Sequence, residues 1–290
     1  MTRKTQNLEE LRQQIDGIDE SIHDLIMQRS ELVERIRAAK DGDGPFIRPG
    51  REAQVLRRIL DRHHGLFPRA VLARIWREII GAFLGMQGPF AVAAYATEDG
   101  PNLFGLARDH FGSMTQVTTF SSQRGVLRAV NEKKATVGVL PLPESDRGDP
   151  WWPHLERSSG RAPRIVARLP FVPLDSGPAP GPDGLVVALS PFEASGRDRS
   201  YLIVETLEPL SRGAFTGLLT GADFQVAAVQ VWEDGRDRRL HLVEVDGYVG
   251  EDDVRLAALE AGQGRVNRLW AIGGYARPLS KQELLSPAAT

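Results

Sequence analysis

The chain has 290 residues, 41% hydrophobic and 26% charged, with a formal net charge of -2. That length suggests two or three domains with enough apolar material for cores, and the near-neutral balance gives no basic field that would draw nucleic acid. Cysteine is absent, which removes disulfides, thiolate nucleophiles and Cys-ligated metals and agrees with a reducing compartment.

The N-terminus, MTRKTQNLEELRQQ, has no apolar signal core, and no run of about 18 apolar residues follows. The expectation is a cytoplasmic protein with no membrane partner. Residues 1–88 read as helical. Asn7 followed by Glu10 looks like a capping box, and the helix it opens runs to about Lys40 before Asp41-Gly-Asp-Gly-Pro45 stops it. Written as heptads, one column is Leu8, Ile15, Ile22, Arg29, Ile36 and its neighbour is Leu11, Ile18, Leu25, Leu32, Ala39. That period predicts one amphipathic helix, roughly 50 Å long at 1.5 Å per residue. Arg29 is the misfit, since a guanidinium in an apolar column is costly unless an anion meets it. Its blander readings are snorkelling to solvent or pairing with Glu31 or Glu34.

A second helix covers Glu52 to about His63. A third covers Pro68 to Met86, with an apolar face of Val71, Leu72, Ile75, Trp76, Ile79, Ile80, Phe83 and Leu84. These leave too little to cover the first helix, so a second copy packed against it, a symmetric helical dimer, is expected. Arg12 and Lys40 flank the apolar stripe, Arg48, Arg51 and Glu52 open the second helix, and Gln87 closes the third. Several cations, one carboxylate and one amide suit a small dianion. Taken singly, Arg12 and Lys40 read as solvated surface charges, and Arg51 with Glu52 as an ordinary helix start.

From Gly88-Pro89 onward short apolar runs alternate with helical stretches. Strands at Ala91–Tyr95, Gln116–Phe120 and Thr136–Leu140, with helices at Leu103–Phe111 and Gln123–Asn131, predict an α/β unit with a parallel sheet. Residues 141–198 are rich in Pro, Gly, Ser and Asp, with strands at Ile165–Leu169 and Leu185–Leu189 and a loop at Ser176–Gly184. Residues 199–276 read β-α-β-β-α-β, the split βαβ or ferredoxin-like order. Pro278–Thr290 reads as a loose tail. His63-His64 reads as a loop pair, Trp151-Trp152 as a packed loop, and Glu251-Asp252-Asp253 as a charged helix start. No phosphate-cradling glycine loop is present.

The segment LRQQIDGIDESIHDLIMQRSELVERIRAAK, followed by RPGRE and IWREIIGAFLGMQ, resembles the all-helical chorismate mutases, especially the mutase domain of bifunctional mutase–prephenate dehydratases, over about residues 8–87. The resemblance implies an intertwined dimer of three-helix chains with active sites lined by both protomers. It implies the following roles. Arg29 binds one substrate carboxylate, and Arg12 reaches the other from the second protomer. Lys40 and Gln87 donate to the ether oxygen of the breaking bond. Glu52 accepts from the ring hydroxyl, and Arg51 supports the entrance. This chain departs from that pattern at Arg48, where some relatives carry an acid, and at Phe83, where a small polar residue often lines the pocket. The implied chemistry, chorismate to prephenate, needs no metal or redox cofactor.

FAVAAYATEDGPNLFGLARDHFG and TVGVLPLPES resemble the first subdomain of prephenate dehydratase, and LHLVEVDGYVGEDDVRLAALE with LWAIGGYARPL resembles an ACT regulatory domain. The dehydratase's Thr-Arg-Phe motif falls near Gly184–Ala188, which reads GLVVA, and a subdomain's worth of residues is missing between 145 and 185. The phenylalanine-binding motifs are replaced by SRGAF and AAVQVWED. The sequence therefore predicts a multidomain protein: a helical mutase dimer domain at 1–88, a truncated dehydratase-like α/β region at 89–198, a ferredoxin-like ACT domain at 199–280 and a tail at 281–290. Chorismate is the expected substrate, the dehydratase-like region is expected to be inactive, and an aromatic amino acid is a possible effector. A bifunctional mutase–dehydratase, a non-catalytic regulator and a pericyclic lyase acting on isochorismate stay open as alternatives.

Overall fold

A computed structural model describes residues 7–39, 47–98, 101–144, 150–156, 162–173, 181–233, 238–261 and 264–285. Three helices come first: α1 (Leu8–Ala39), α2 (Pro49–Asp61) and α3 (Arg69–Gln87). At the start of α1 the Asn7 amide donates to Glu10 and the Glu9 amide to Asn7 Oδ1, both at 3.4 Å. Pro49 sits in the first turn of α2, where its missing N–H costs nothing. No helix among the described residues is long and apolar enough to cross a membrane.

The described residues that follow build a single sheet. In chain order come β1 (Ala91–Tyr95), α4 (Phe104–Phe111), β2 (Gln116–Phe120), α5 (Gln123–Asn131), β3 (Val137–Pro141), a short 3-10 turn (Trp152–Leu155), β4 (Arg164–Leu169) and β5 (Gly184–Ala188). They are followed by β6 (Asp198–Thr206), α6 (Arg212–Gly221), β7 (Val226–Glu233), β8 (Arg239–Asp246), α7 (Val254–Ala261), β9 (Val266–Ala276) and α8 (Lys281–Leu285). The nine strands lie in the order β2-β1-β3-β5-β4-β9-β6-β8-β7. The last four have the ferredoxin-like arrangement, every neighbour antiparallel.

The first half of the sheet is mixed, whereas the sequence suggested a parallel one. β1 runs parallel to β2 and β3, but β5 runs antiparallel to both β3 and β4. The chain leaves β4 through Pro170-Phe171-Val172-Pro173, with no regular element between β4 and β5 among the described residues to return it to the starting end. The two halves join where β4 runs parallel to β9, with Ile165 opposite Gly273. Gly273 has φ of +105°, and a Cβ there would lie 2.1 Å from the Ile165 carbonyl oxygen, so no side chain fits that junction.

Cores cross the boundaries drawn from sequence. One cluster holds Ala93 and Val126 together with Tyr201 and Tyr275. Another joins Leu56, Ala73 and Ile80 of the helical region to Phe171, Ala276, Leu279 and Leu284. Residues 278–285 are therefore not a loose tail. Leu279 and Leu284 are buried, and Ser280 and Glu283 cap α8 reciprocally at 2.7 Å and 3.2 Å.

Helix α1 buries nothing fully. Only Ile26, Arg29, Ser30 and Val33 are partly covered, at the i, i+3, i+4, i+7 spacing of one helix face. Its apolar column stays open, with Ile18 58% exposed.

The crowding at the sheet junction sets a stability prediction. Gly273→Ala lowers stability by about 2 kcal/mol or more, because the β-carbon must displace backbone and the positive φ is strained. Gly213→Ala, in an exposed turn of α6 with open space around its Cβ, stays neutral or stabilises by up to about 1 kcal/mol. Denaturant melts of the two variants check this, and equal behaviour would refute the junction's role.

Candidate functional site

The contact between α1 and α3 gathers three of the residues singled out from sequence. The Arg29 guanidinium lies 4.2 Å from the centre of the Phe83 ring, a cation–π stack. Its Nη1 is buried and has no hydrogen-bond partner among the described residues. Glu31 and Glu34 are exposed, and neither carboxylate partners the buried Nη1. Burial draws its pKa down from the ordinary arginine value, yet an arginine keeps its charge at any physiological pH. Phe83 is itself buried. One turn on, the Gln87 amide is folded back onto the Phe83 carbonyl at 3.3 Å. Beside it Arg37 Nη1 donates to the Met86 carbonyl at 3.2 Å and satisfies the last turn of α3.

Glu52 stands one layer behind. It accepts from Arg77 Nη1 at 2.8 Å, and both side chains are nearly closed to solvent, at 12% and 5% exposed. Burial pulls the Arg77 pKa down and the Glu52 carboxylate pulls it back up. Arg77 is not among the residues expected from sequence, although the sequence carries a signal for it. Ala73, Arg77 and Gly81 sit at i, i+4 and i+8, and a Cβ on Gly81 would lie 2.1 Å from the Phe111 carbonyl oxygen. Small residues at that spacing mark a closely packed helix face, so Arg77 between them had to be buried. Beyond Arg77 lies His110, buried and edge-on to Phe111 with ring centres 4.7 Å apart. Burial and then the Arg77 charge hold its pKa well below 6.5.

The remaining expected residues are elsewhere. Arg12 is exposed and pairs with Glu9 at 3.7 Å. Seventeen residues of helix separate it from Arg29, roughly 26 Å at 1.5 Å per residue, so it does not reach the seam of its own chain. Arg51 is exposed. Arg48 pairs with Glu193 from the loop after β5, at 3.0 Å. Lys40 lies outside the described residues. No group of three or more His, Asp or Glu that could hold a metal ion occurs among the described residues.

In the sheet, the crevice at the ends of β1 and β3 is nearly filled. Trp151 and Trp152 are buried, Trp151 Nε1 donates to the Pro141 carbonyl at 3.1 Å, and about 50 Å³ remains between Tyr95, Gln123, Pro141 and Trp151. The stretch Gly184–Ala188 is the fully buried strand β5, with no hydroxyl or charge.

These features define a multidomain protein in which a helical region rests on a mixed α/β sheet. Residues 11–88 match the family Chorismate mutase type II, and the N-terminal region is a domain of that kind. Among curated proteins the chain is similar to the bifunctional chorismate mutase/prephenate dehydratase of Aquifex aeolicus, 34% identical over 148 residues, which are 49% of this chain and 41% of that protein. It is also similar to the bifunctional enzyme of Pseudomonas aeruginosa, 32% identical over 147 residues, 49% of this chain and 40% of that one. The matched stretch thus spans about 40% of the length of these relatives. Among solved structures, prephenate dehydratase from Streptococcus mutans aligns with a TM-score of 0.47 at 13% identity, over 66% of this chain and 99% of that one.

Two predictions follow from the layer behind the seam. Arg77→Met leaves the Glu52 carboxylate buried without its cation and costs about 3 to 5 kcal/mol, whereas Glu52→Leu combined with Arg77→Met recovers most of that loss. Chemical denaturation of the two variants decides the matter, and no recovery in the double variant would mean that the pair is not coupled. His110 binds its proton less readily folded than unfolded, so stability falls as pH drops below about 6.5, the unfolded value. Replacing it with Phe flattens that limb between about pH 6.5 and 5. An unchanged slope in denaturant midpoints across that range would contradict the neutral, buried state of His110.

Proposed function

We propose that the chain is a chorismate mutase that converts chorismate to prephenate and works as a dimer built on α1. The observation that carries this reading is the Arg29 guanidinium. It is half-buried in the seam of the matched domain, stacked on Phe83, with Nη1 unpartnered. A buried donor left unmade costs about 1–3 kcal/mol, and a substrate carboxylate would satisfy it.

In this reading the reaction is a unimolecular Claisen rearrangement. The site must hold the extended dianion in its compact diaxial form. Arg29 takes one carboxylate and the partner's Arg12 the other. Lys40 and Gln87 stabilise negative charge developing on the ether oxygen, for which Gln87 must release the Phe83 carbonyl. Glu52, fixed by Arg77, accepts from the ring hydroxyl, Arg51 stands at the entrance, and Phe83 narrows the pocket. The roughly 26 Å between Arg12 and Arg29 and the open apolar column of α1 both support a second copy crossing the first.

The same reading gives the sheet region no dehydratase chemistry. It is supported by the closed strand β5 where a catalytic threonine is expected, and by Trp151 filling the crevice at the strand ends. A bifunctional enzyme is the second reading, favoured by the names of both relatives.

Purified chain incubated with chorismate separates these readings. Prephenate accumulating supports the mutase, phenylpyruvate forming without acid treatment supports the bifunctional reading, and binding without turnover would refute both. Lys40→Ala cuts turnover by about 100-fold or more while the fold persists. Leu25→Glu, on the open column, yields monomers by sedimentation and loses activity with the dimer. Near-normal turnover in either variant would sink the assignment of that residue.

A further inference from the structure

Away from the α1–α3 seam, a cavity of about 380 Å³ lies where α3 and α4 meet the loops flanking β4 and β5. That size suits a small organic molecule. Leu106 and Phe171 supply apolar wall, while Arg77 and His110 supply polar wall. Both polar residues are more than nine-tenths buried, at 4% and 7% exposed.

The charges around the cavity are unevenly committed. Asp109 is paired with Arg74 at 3.2 Å, and Asp183 with Arg168 at 2.8 Å. Arg77 gives Nη1 to Glu52, but its Nε is buried without a partner among the described residues. Its guanidinium also sits 5.3 Å from the Phe171 ring centre, against the apolar wall. His110 is held neutral beside it, so its ring can donate one hydrogen bond without adding charge. A buried guanidinium with an unpartnered Nε, a neutral imidazole and an aromatic wall, with Lys281 a further but partnered cation in the lining, match a monoanion with an apolar body. They do not suit a phosphate, whose heavier hydration would be lost against Leu106 and Phe171.

We infer that this cavity binds a small apolar carboxylate, and that Arg77 relays its occupancy to Glu52. The relay rests on the mutase reading, in which Glu52 faces substrate; the binding site does not. Arg77 is the only side chain that both lines the cavity and holds Glu52 among the described residues. An anion in the cavity draws on the Arg77 guanidinium, competes with Glu52 for the same charge and loosens the carboxylate on the substrate side.

Calorimetric titration of the full chain with benzoate tests the site, with acetate and benzylamine as controls for the apolar body and the charge. Benzoate should saturate, acetate should bind about 10-fold or more weakly, and benzylamine should not bind. The blocking variant is Gly105→Phe. Gly105 lines the cavity from α4, and a Cβ there meets nothing within 4 Å, so the ring fills the space without straining the backbone. It should weaken benzoate by about 10-fold or more. In the unmodified chain benzoate should lower kcat/KM for chorismate, and in Gly105→Phe it should not. No saturable binding, or equal binding in Gly105→Phe, would overturn the site. Binding that leaves an active mutase unaffected would overturn the relay. A chain inert toward chorismate that still binds benzoate in this cavity would remove the mutase reading and leave the site standing.

Discussion

Helix α1 is longer than anything in its own chain that covers it, and much of the architecture follows from that mismatch. Its 32 residues span roughly 48 Å, yet only the line from Ile26 to Val33 rests on α3. Nine large apolar side chains along it remain exposed. At roughly 1.5–3 kcal/mol for each such side chain fully buried, covering them is worth on the order of 10 kcal/mol or more. That is comparable with the cost of bringing two molecules together. In the dimer proposed above, a second α1 supplies a surface of matching length and periodicity, and its crossing would carry Arg12 toward the seam that it does not reach within its own chain.

The other two helices are not free to cover α1, because the sheet holds them. Gly50 lets the start of α2 approach the Glu193 backbone, where a Cβ would sit 2.7 Å from the carbonyl oxygen. Arg57 then donates to the carbonyls of Arg197 and Arg277 at 3.2 Å and 2.9 Å, tying α2 to both ends of the ferredoxin-like unit. Arg48 adds its pair with Glu193. On α3, Gly81 meets the end of α4, and α8 returns Leu284 to the same cluster. The helical region is therefore mounted on the sheet through one face of α2 and α3, and only the opposite face of α3 is left for Arg29. That division gives the C-terminal region a structural role whatever chemistry it has, since it fixes the two helices that carry Glu52, Phe83 and Gln87.

Elements with a clear period were legible in the sequence. Ala91–Tyr95, Gln116–Phe120 and Gln123–Asn131 have the expected bounds; Gly88-Pro89 precedes the first, Ser121 follows the second and Ser122 caps the third. The ferredoxin-like order was readable because each of its elements is long enough to show its own pattern. What escaped was set by distant partners. The direction of β5 depends on how the loop after β4 turns, and five buried apolar residues read the same either way. The fold of 281–285 depends on a hydrophobic cluster built mainly by α2 and α3. Arg48, read against a family pattern, lost its meaning until Glu193 came beside it from 145 residues away. At the seam, Arg29 was legible and the fold of Gln87 onto Phe83 was not, since a helix pattern places a side chain on a face but does not aim its amide.

Arg29 and Arg77 show why the same residue type was visible in one helix and hidden in the other. In α1 the apolar column is narrow and strictly periodic, so a guanidinium within it breaks the pattern. Helix α3 is apolar on two sides, one toward α1 and one toward the sheet, and Arg77 fell between Trp76 and Ile80 on a surface that looked polar by default. Their surroundings then separate their roles. Arg77 has a carboxylate at 2.8 Å, so its burial is offset within the chain and it acts as a strut for Glu52. Arg29 has an aromatic face but no anion, and its Nη1 stays unsatisfied. A half-buried cation that the fold leaves without an anion keeps its attraction for one from outside, and partial burial strengthens that attraction. The stack on Phe83 holds the guanidinium in place beforehand, so in the proposed site the substrate would not bear the cost of ordering it. In the proposed site the two arginines serve one end, with Arg77 fixing the Glu52 carboxylate and Arg29 presenting a charge that no carboxylate of the described residues matches.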